Sequence, residues 1–287
     1  MARLIVNADD LGLDESVNDG ILLAHQRGIV TSASLLPAGP AFEHALGLCR
    51  GCPTLDLGVH LTLVDERPAS NGAEIPSLVD QRGRLCDRAA LLRRYAAGRI
   101  SADQIERELR AQIARVVETG LHVSHLDSHQ HLHMLPMVFS IVEELAHMFG
   151  IGALRLPGER VRSHMFHSIT RAPRVLKLEA LRALSLAARQ RLSLAAPDHF
   201  FGFYAGGRLE QRALAAVLRA LPPRGVSELM CHPGLRQLGG RYASWGYRWP
   251  VELAALTDER TRRVVEEEGI DLVDFASLSS AAAGTRD

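Results

Sequence analysis

The sequence predicts an α/β fold, an irregular (β/α) barrel of about seven parallel strands with long insertions, and three observations carry that expectation. Short apolar runs alternate with helical patterns along the chain, which is how a parallel sheet covered by helices reads. About seven such units occur, enough to close or nearly close a barrel. No GxGxxG turn follows the first apolar run, "RLIVNA", so a doubly wound open sheet with a dinucleotide site is the weaker alternative.

Taken in order, "RLIVNA" (3 to 8) reads as a buried strand. Asp14 then caps a helix through Arg27 whose apolar side includes Val17, Ile21 and Ala24, and Gly28 stops it. "IVTSASLLP" is a second strand, "AFEHALGLC" a helix and "LDLGVHLTL" (55 to 63) a third strand. "SADQIERELRAQIARVVETG" (101 to 120) is a capped amphipathic helix that leads into the strand "LHVSHLD". Pro136 suits the first turn of a helix running to Gly150, and "GALRLP" follows as a strand. A helix over residues 208 to 220 precedes the strand "SELMCHP" (227 to 233). "VELAALTDERTRRVVEEEG" reads as one helix, and "IDLVDF" as the closing strand. Residues 64 to 100 and 157 to 206 break the rhythm and are expected to be insertions that shape a pocket. One barrel domain is thus expected over 1–275, with a flexible tail at 276–287.

Composition narrows the function. Lys plus Arg and Asp plus Glu are both 33, so no strong field favours a nucleic acid. There is no apolar run of about 18 residues, and "MARLIVNADD" reaches two aspartates too soon for a signal peptide. A cytoplasmic protein is expected, with peripheral contact at the inner membrane as an option. Cys49 and Cys52 have redox spacing but end a helical pattern rather than open one, and Cys86 and Cys231 stand alone. All four read as reduced thiols.

Chemistry-bearing residues collect at strand ends. Asp9 and Asp10 end the first strand, His60 lies late in the third, and His232 ends a later one. His125, Asp127, His129, His131 and His133 fall at alternate positions around the end of the fourth. In a parallel barrel these ends face one rim, where active sites are built. Singly, each reads as a turn residue, a helix cap or a satisfied core histidine. Together they offer two imidazoles and a carboxylate for Zn²⁺ or a similar divalent ion, and a second carboxylate for general-base work. Alternation alone leaves all five residues of the His/Asp run open as ligands.

The blocks "NADDLG" (7 to 12), "GVHLTL" (58 to 63), "HLDSHQHLHM" (125 to 134), "LRLP" (154 to 157) and "HPG" (232 to 234) resemble the YdjC/ChbG-like carbohydrate deacetylases, in the right order over nearly the whole chain. Within that family, "LRLPGE" and the Leu, Ala and Arg-rich segment after it are most similar to the hopanoid-biosynthesis-associated (HpnK-like) branch. The resemblance implies a polysaccharide-deacetylase-like barrel and a metal-dependent hydrolase. Its expected reaction removes the N-acetyl group from an N-acetylglucosamine-containing substrate, with a glycosylated hopanoid lipid as one option, releasing acetate and free amine. The alternatives are a chitooligosaccharide deacetylase and a non-catalytic, metal-dependent sugar-binding protein. Phosphoester hydrolysis gets little support, because two-metal sites usually need more carboxylates.

Carried onto this chain, the family pattern implies one divalent ion, Zn²⁺ or Mg²⁺, held by Asp10, His60 and His129. Asp9 would be the general base and His232 the general acid. Asp127 is expected to orient a ligating imidazole, His125 to support the ligands or pack in the core, and His131 and His133 to face substrate at the pocket rim or to support the ligands from behind. Arg155 is expected to donate to the sugar or oxyanion or to support the ligands from behind, with a surface position at a strand end as the alternative. The helix-like "VLKLEALRALSLAARQRLSLA" would pack on the barrel or cover a lipid-like substrate, and Phe200, Phe201, Phe203 and Tyr204 would stack on sugar or line an apolar tunnel. The expected partner is an N-acetylated sugar or glycolipid; a homodimer is compatible with the sequence.

Overall fold

The computed structural model describes residues 1–160 and 172–278. Residues 161–171 of the second expected insertion, and 279–287 of the expected tail, lie outside the described residues. Eight strands and nine helices are described. They run β1 Arg3–Leu11, α1 Glu15–Arg27, β2 Ser32–Leu35, α2 Phe42–Arg50, β3 Asp56–Leu61, α3 Arg88–Ala96, α4 Ala102–Val117, β4 His125–Ser128, α5 Pro136–Phe149, β5 Ala153–Leu154, α6 Ala172–Arg189, β6 His199–Phe201, α7 Gln211–Leu218, β7 Val226–Cys231, α8 Trp249–Thr257, α9 Glu259–Glu267 and β8 Asp271–Val273.

All strand pairings are parallel, in the order β5-β4-β3-β2-β1-β7-β6, with β8 beside the start of β1. Except for Arg3, every residue of β1 is buried, as a strand covered on both faces requires. The sheet curls into the irregular barrel. Ala153 of β5 bridges to Ala195, just ahead of β6, so the two edges nearly meet. Arg155, one residue past β5, reaches Asp9 on β1 and Glu228 on β7 across the interior.

Local chemistry sets the element ends. The Asp14 side chain accepts from the Ser16 N–H at the start of α1, Pro136 opens α5, and Gly150 closes it with φ 69°. The single helix expected over 251 to 269 is two. Asp258 leaves the helical region at ψ 133° and accepts from the Arg260 N–H, which caps α9. The second insertion is not all insertion, since it contains the barrel strand β6, paired with β7. Among the described residues no helix is long and apolar enough to cross a membrane. The four cysteines are buried and free, and burial pushes the Cys49 thiol up to about 12, against redox use.

Two close backbone approaches position functional strand ends. A Cβ on Gly20 of α1 would meet the Gly234 Cα at 2.4 Å, so α1 packs directly on the turn that follows His232. A Cβ on Gly58 would lie 2.3 Å from His125 Nε2, so β3 makes room for a histidine from β4.

Candidate active site

The two aspartates ending β1 are neighbours in sequence, and regular strand alternation would send them to opposite faces. The register of β1 against β2 shifts between Ala8 and Leu11, and Asp10 takes φ 68°. This bulge and left-handed residue re-aim the chain so that both carboxylates enter one site. The turn is closed by Leu13 N–H to the Asp10 carbonyl at 3.0 Å and by Gly12 N–H to Asn18 Oδ1 at 2.6 Å.

Asp10 Oδ1 lies 2.9 Å from His129 Nδ1 and 3.4 Å from His60 Nε2. Asp10, His60 and His129 each offer a ligand atom within 4.8 Å of the others, and all three are buried. Asp10 Oδ2 is buried with no hydrogen-bond partner among the described residues. An orphaned carboxylate oxygen beside two imidazoles is the donor set that a borderline divalent cation takes, so these residues fit a metal. Burial would raise the Asp10 carboxyl, but His129 and His60 outweigh it and hold it well below the usual carboxylate range. Burial likewise opposes charge on His60, yet Asp127 and Asp10 push that imidazole up to about 10. A second close trio, Asp9, His60 and Asp127, fits a cation less well, because Arg155 already pairs with both of its carboxylates.

Asp127 orients His60 rather than His129: its Oδ1 is 2.8 Å from His60 Nδ1. Its Oδ2 accepts from Ser34 Oγ at 2.9 Å and forms an ion pair with Arg155 Nη1 at 2.5 Å. Despite burial, Arg155 and His60 hold the Asp127 carboxyl far below its usual range. Arg155 grips Asp9 in bidentate fashion, with Nη1 to Oδ2 at 2.8 Å and Nη2 to Oδ1 at 2.7 Å. Asn7 Nδ2 adds a bond to Asp9 Oδ1 at 2.9 Å and also reaches Ser34 Oγ at 2.7 Å. Arg155 is therefore not a surface residue. It is fully buried, and each of its three guanidinium nitrogens pairs with a carboxylate.

His232 lies across the same cleft. Its backbone N–H donates to Glu252 Oε2 at 2.5 Å, its Nδ1 is 4.0 Å from that oxygen, and its ring packs on Tyr247 at 4.6 Å. Glu252 is itself buried, with its carboxyl pushed up by burial, and its Oε1 accepts the Leu209 N–H.

The remaining histidines separate. β4 ends at Ser128, and Gln130 and His131 both take φ 58° in the turn that follows, so alternation stops there. His131 lines the cleft beside Phe203, and burial pushes its imidazole well below its usual value. His133 does not reach the rim as expected. Ser128 Oγ lies 2.6 Å from its Nδ1, and its Nε2 is 3.0 Å from the Arg155 carbonyl. His125 is core, stacked on Phe275 at 3.7 Å and pushed down to about 4 by burial. Phe200 and Phe201 are buried too, while Phe203 lines the cleft.

The cleft has a volume of about 1640 Å³ and takes in Asp9, His60, His129 and His232. Arg174, Lys177 and Phe203 come from the second expected insertion, and Glu66 and Arg84 from the first. The sequence reading missed the wall formed by Tyr242, Trp245 and Tyr247. The Trp245 ring lies 4.9 Å from that of His129 and 5.6 Å from that of Tyr247. The signal was present in "GGRYASWGYRW", where aromatic residues alternate with Gly and Arg soon after "HPG".

Comparison with known proteins adds family evidence. A family model described as YdjC-like protein matches residues 3–267. A carbohydrate deacetylase of Brevibacillus brevis is 34% identical over 279 residues, covering 96% of this chain and 99% of the relative. A chitooligosaccharide deacetylase of Serratia marcescens is 34% identical over 281 residues, covering 96% and 98%. Among solved structures, an Enterococcus faecalis protein described as a candidate in cellobiose-phosphate cleavage superposes with a TM-score of 0.73 at 27% identity, over 97% of this chain and 99% of that one.

Proposed function

Because the chain belongs to the YdjC-like protein family, we propose that it is a metal-dependent carbohydrate deacetylase, a hydrolase that removes the acetyl group from an N-acetylglucosamine-containing substrate. One observation carries this reading. A carboxylate-bis-imidazole set, Asp10, His60 and His129, shares a cleft with an Arg-held carboxylate, Asp9, and an imidazole, His232.

A divalent ion held by Asp10, His60 and His129, with Zn²⁺ and Mg²⁺ the candidates, would supply Lewis acidity toward the acetyl carbonyl and lower the pKa of water. The chain's own residues do the rest. Asp9, fixed by Arg155 and Asn7, takes the proton of the water that attacks the carbonyl carbon. His232, steadied by Glu252 and Tyr247, gives a proton to the amide nitrogen, so acetate and a free amine leave. Trp245 and Tyr247 line the same cleft and offer aromatic surface against which a sugar can pack.

For the substrate, the named relatives favour a chitooligosaccharide. A glycolipid such as a glycosylated hopanoid, as in the HpnK-like branch, is favoured by α6, which carries the exposed Leu176 next to the cleft residue Lys177. The test is to incubate pure protein and Zn²⁺ or Mg²⁺ with chitobiose and with an N-acetylglucosaminyl lipid, and to measure acetate. Release from either supports the reading and ranks the substrates. Metal binding with no acetate from any N-acetyl sugar overturns it and leaves a sugar-binding protein.

A further inference from the structure

Glu228 lies in the middle of β7, fully buried, and points into the barrel below the site. Its register neighbours are Ile5 on β1 and Phe200 on β6. Across the interior it meets Arg155, whose Nε donates to Glu228 Oε1 at 2.6 Å. The charged groups facing it are thus Arg155 from the end of β5, Asp9 from β1 and Asp127 from β4.

The His60 imidazole answers Asp127 and Asp10, so an ionised Glu228 would have only a share of one guanidinium, held also by Asp9 and Asp127, where desolvation makes charge expensive. His125, in the same interior, gives no compensation, since burial pushes its imidazole down to about 4. Hydrogen bonds identify the carboxylate that gives up its charge. Asp9 takes two Arg155 donors and one from Asn7. Asp127 is met by Arg155, Ser34 and His60. Glu228 takes one donor at Oε1, and its buried Oε2 has no partner among the described residues. A bare oxygen costs less on a neutral acid than on an ionised one.

We propose that Glu228 is held as a neutral carboxylic acid, a positioning residue that leaves the charge of Arg155 to Asp9 and Asp127. Burial agrees with this, pushing the Glu228 carboxyl up to about 7 against the pull of Arg155. The benefit to Asp9 as a base rests on the deacetylase reading; the protonation state does not.

The decisive experiment is infrared difference spectroscopy of the wild type against Glu228→Gln at about pH 6, where an ordinary carboxyl is ionised. The wild type should show a protonated-carboxyl carbonyl band that the variant lacks. Contributions from Glu66 and Glu252, whose carboxyls burial also raises, cancel in the difference. Melting gives a second readout. A carboxyl raised from 4.5 to about 7 on folding contributes stability below its unfolded value that is lost as pH rises through the folded one. The Tm of Glu228→Gln should therefore match the wild type near pH 4.5 and exceed it increasingly toward pH 8. Identical infrared spectra, or a variant as destabilised at pH 8 as at pH 4.5, would overturn the proposal. So would failure of both Glu228→Gln and Glu228→Met to fold, because a neutral acid has a tolerable neutral replacement. Neither readout needs substrate, so an absence of acetate release would count only against the deacetylase reading.

Discussion

Asp127 Oδ1 sits 2.8 Å behind His60 Nδ1, and this contact turns His60 Nε2 toward Asp10 Oδ1, 3.4 Å away. An imidazole that donates Nδ1–H to a carboxylate has its tautomer and ring plane fixed and its Nε2 lone pair free for a metal. Removing such a partner typically costs about 10–100-fold in metal affinity. Asp127→Asn is expected to fall in that range by chelator competition with Zn²⁺. Unchanged affinity would mean that the β3 backbone alone places His60.

Asp9 makes no contact with the metal-ligand trio as close as its paired bonds to Arg155. Asp9→Asn keeps the shape and one acceptor but removes the basic group. Turnover should fall by about 10²–10⁴-fold, the range general-base catalysis covers, while metal content and substrate binding persist. Full activity in the variant would remove Asp9 from the reaction.

Much of the rim was legible in the sequence because it is built from strand ends. Asp9, Asp10, His60 and His232 end or nearly end buried apolar runs, and such runs are visible without coordinates. Strand β6 was not, because three residues, His199–Phe201, inside an aromatic stretch give no period to read. The split of the last long helix was marked by "TDER", but apolar spacing on either side of Asp258 hid it. The carboxylate partners of Arg155 were hidden for a different reason. The three come from β1, β4 and β7, and only closure of the sheet brings such distant positions together. Which of His131 and His133 would face the cleft was not legible, because Gln130 and His131 turn left-handed after Ser128 and no residue pattern announces that turn.

Gly58 illustrates a constraint on β3 that a sequence shows only as a missing side chain. Its absent Cβ would lie 2.3 Å from His125 Nε2. The ring cannot withdraw, because Phe275 stacks on it at 3.7 Å and Ser124 Oγ sits 2.8 Å from Nδ1. Gly58→Ala should destabilise the fold by about 1–3 kcal/mol, the usual cost of overpacking, read as a lower Tm. A double variant that also shrinks His125 to Ala should recover part of the loss; no recovery would place the strain elsewhere.

Trp245 is half-buried in the cleft wall, 4.9 Å from the ring of His129 and edge-on to Tyr242 at 5.1 Å. Trp245 lines the same cleft as His60 and His129, so on the deacetylase reading it is placed to contact the sugar whose acetyl group reaches them. Aromatic contacts are worth about 0.5–1.5 kcal/mol beyond the area they bury, a factor of about 2–12 in affinity. Trp245→Ala should therefore raise KM by that factor and leave kcat and metal affinity nearly unchanged, with Trp245→Phe recovering most of the binding. A fall in kcat with KM unmoved, or a loss of metal, would show instead that the indole supports the His129 ring and does not receive the substrate.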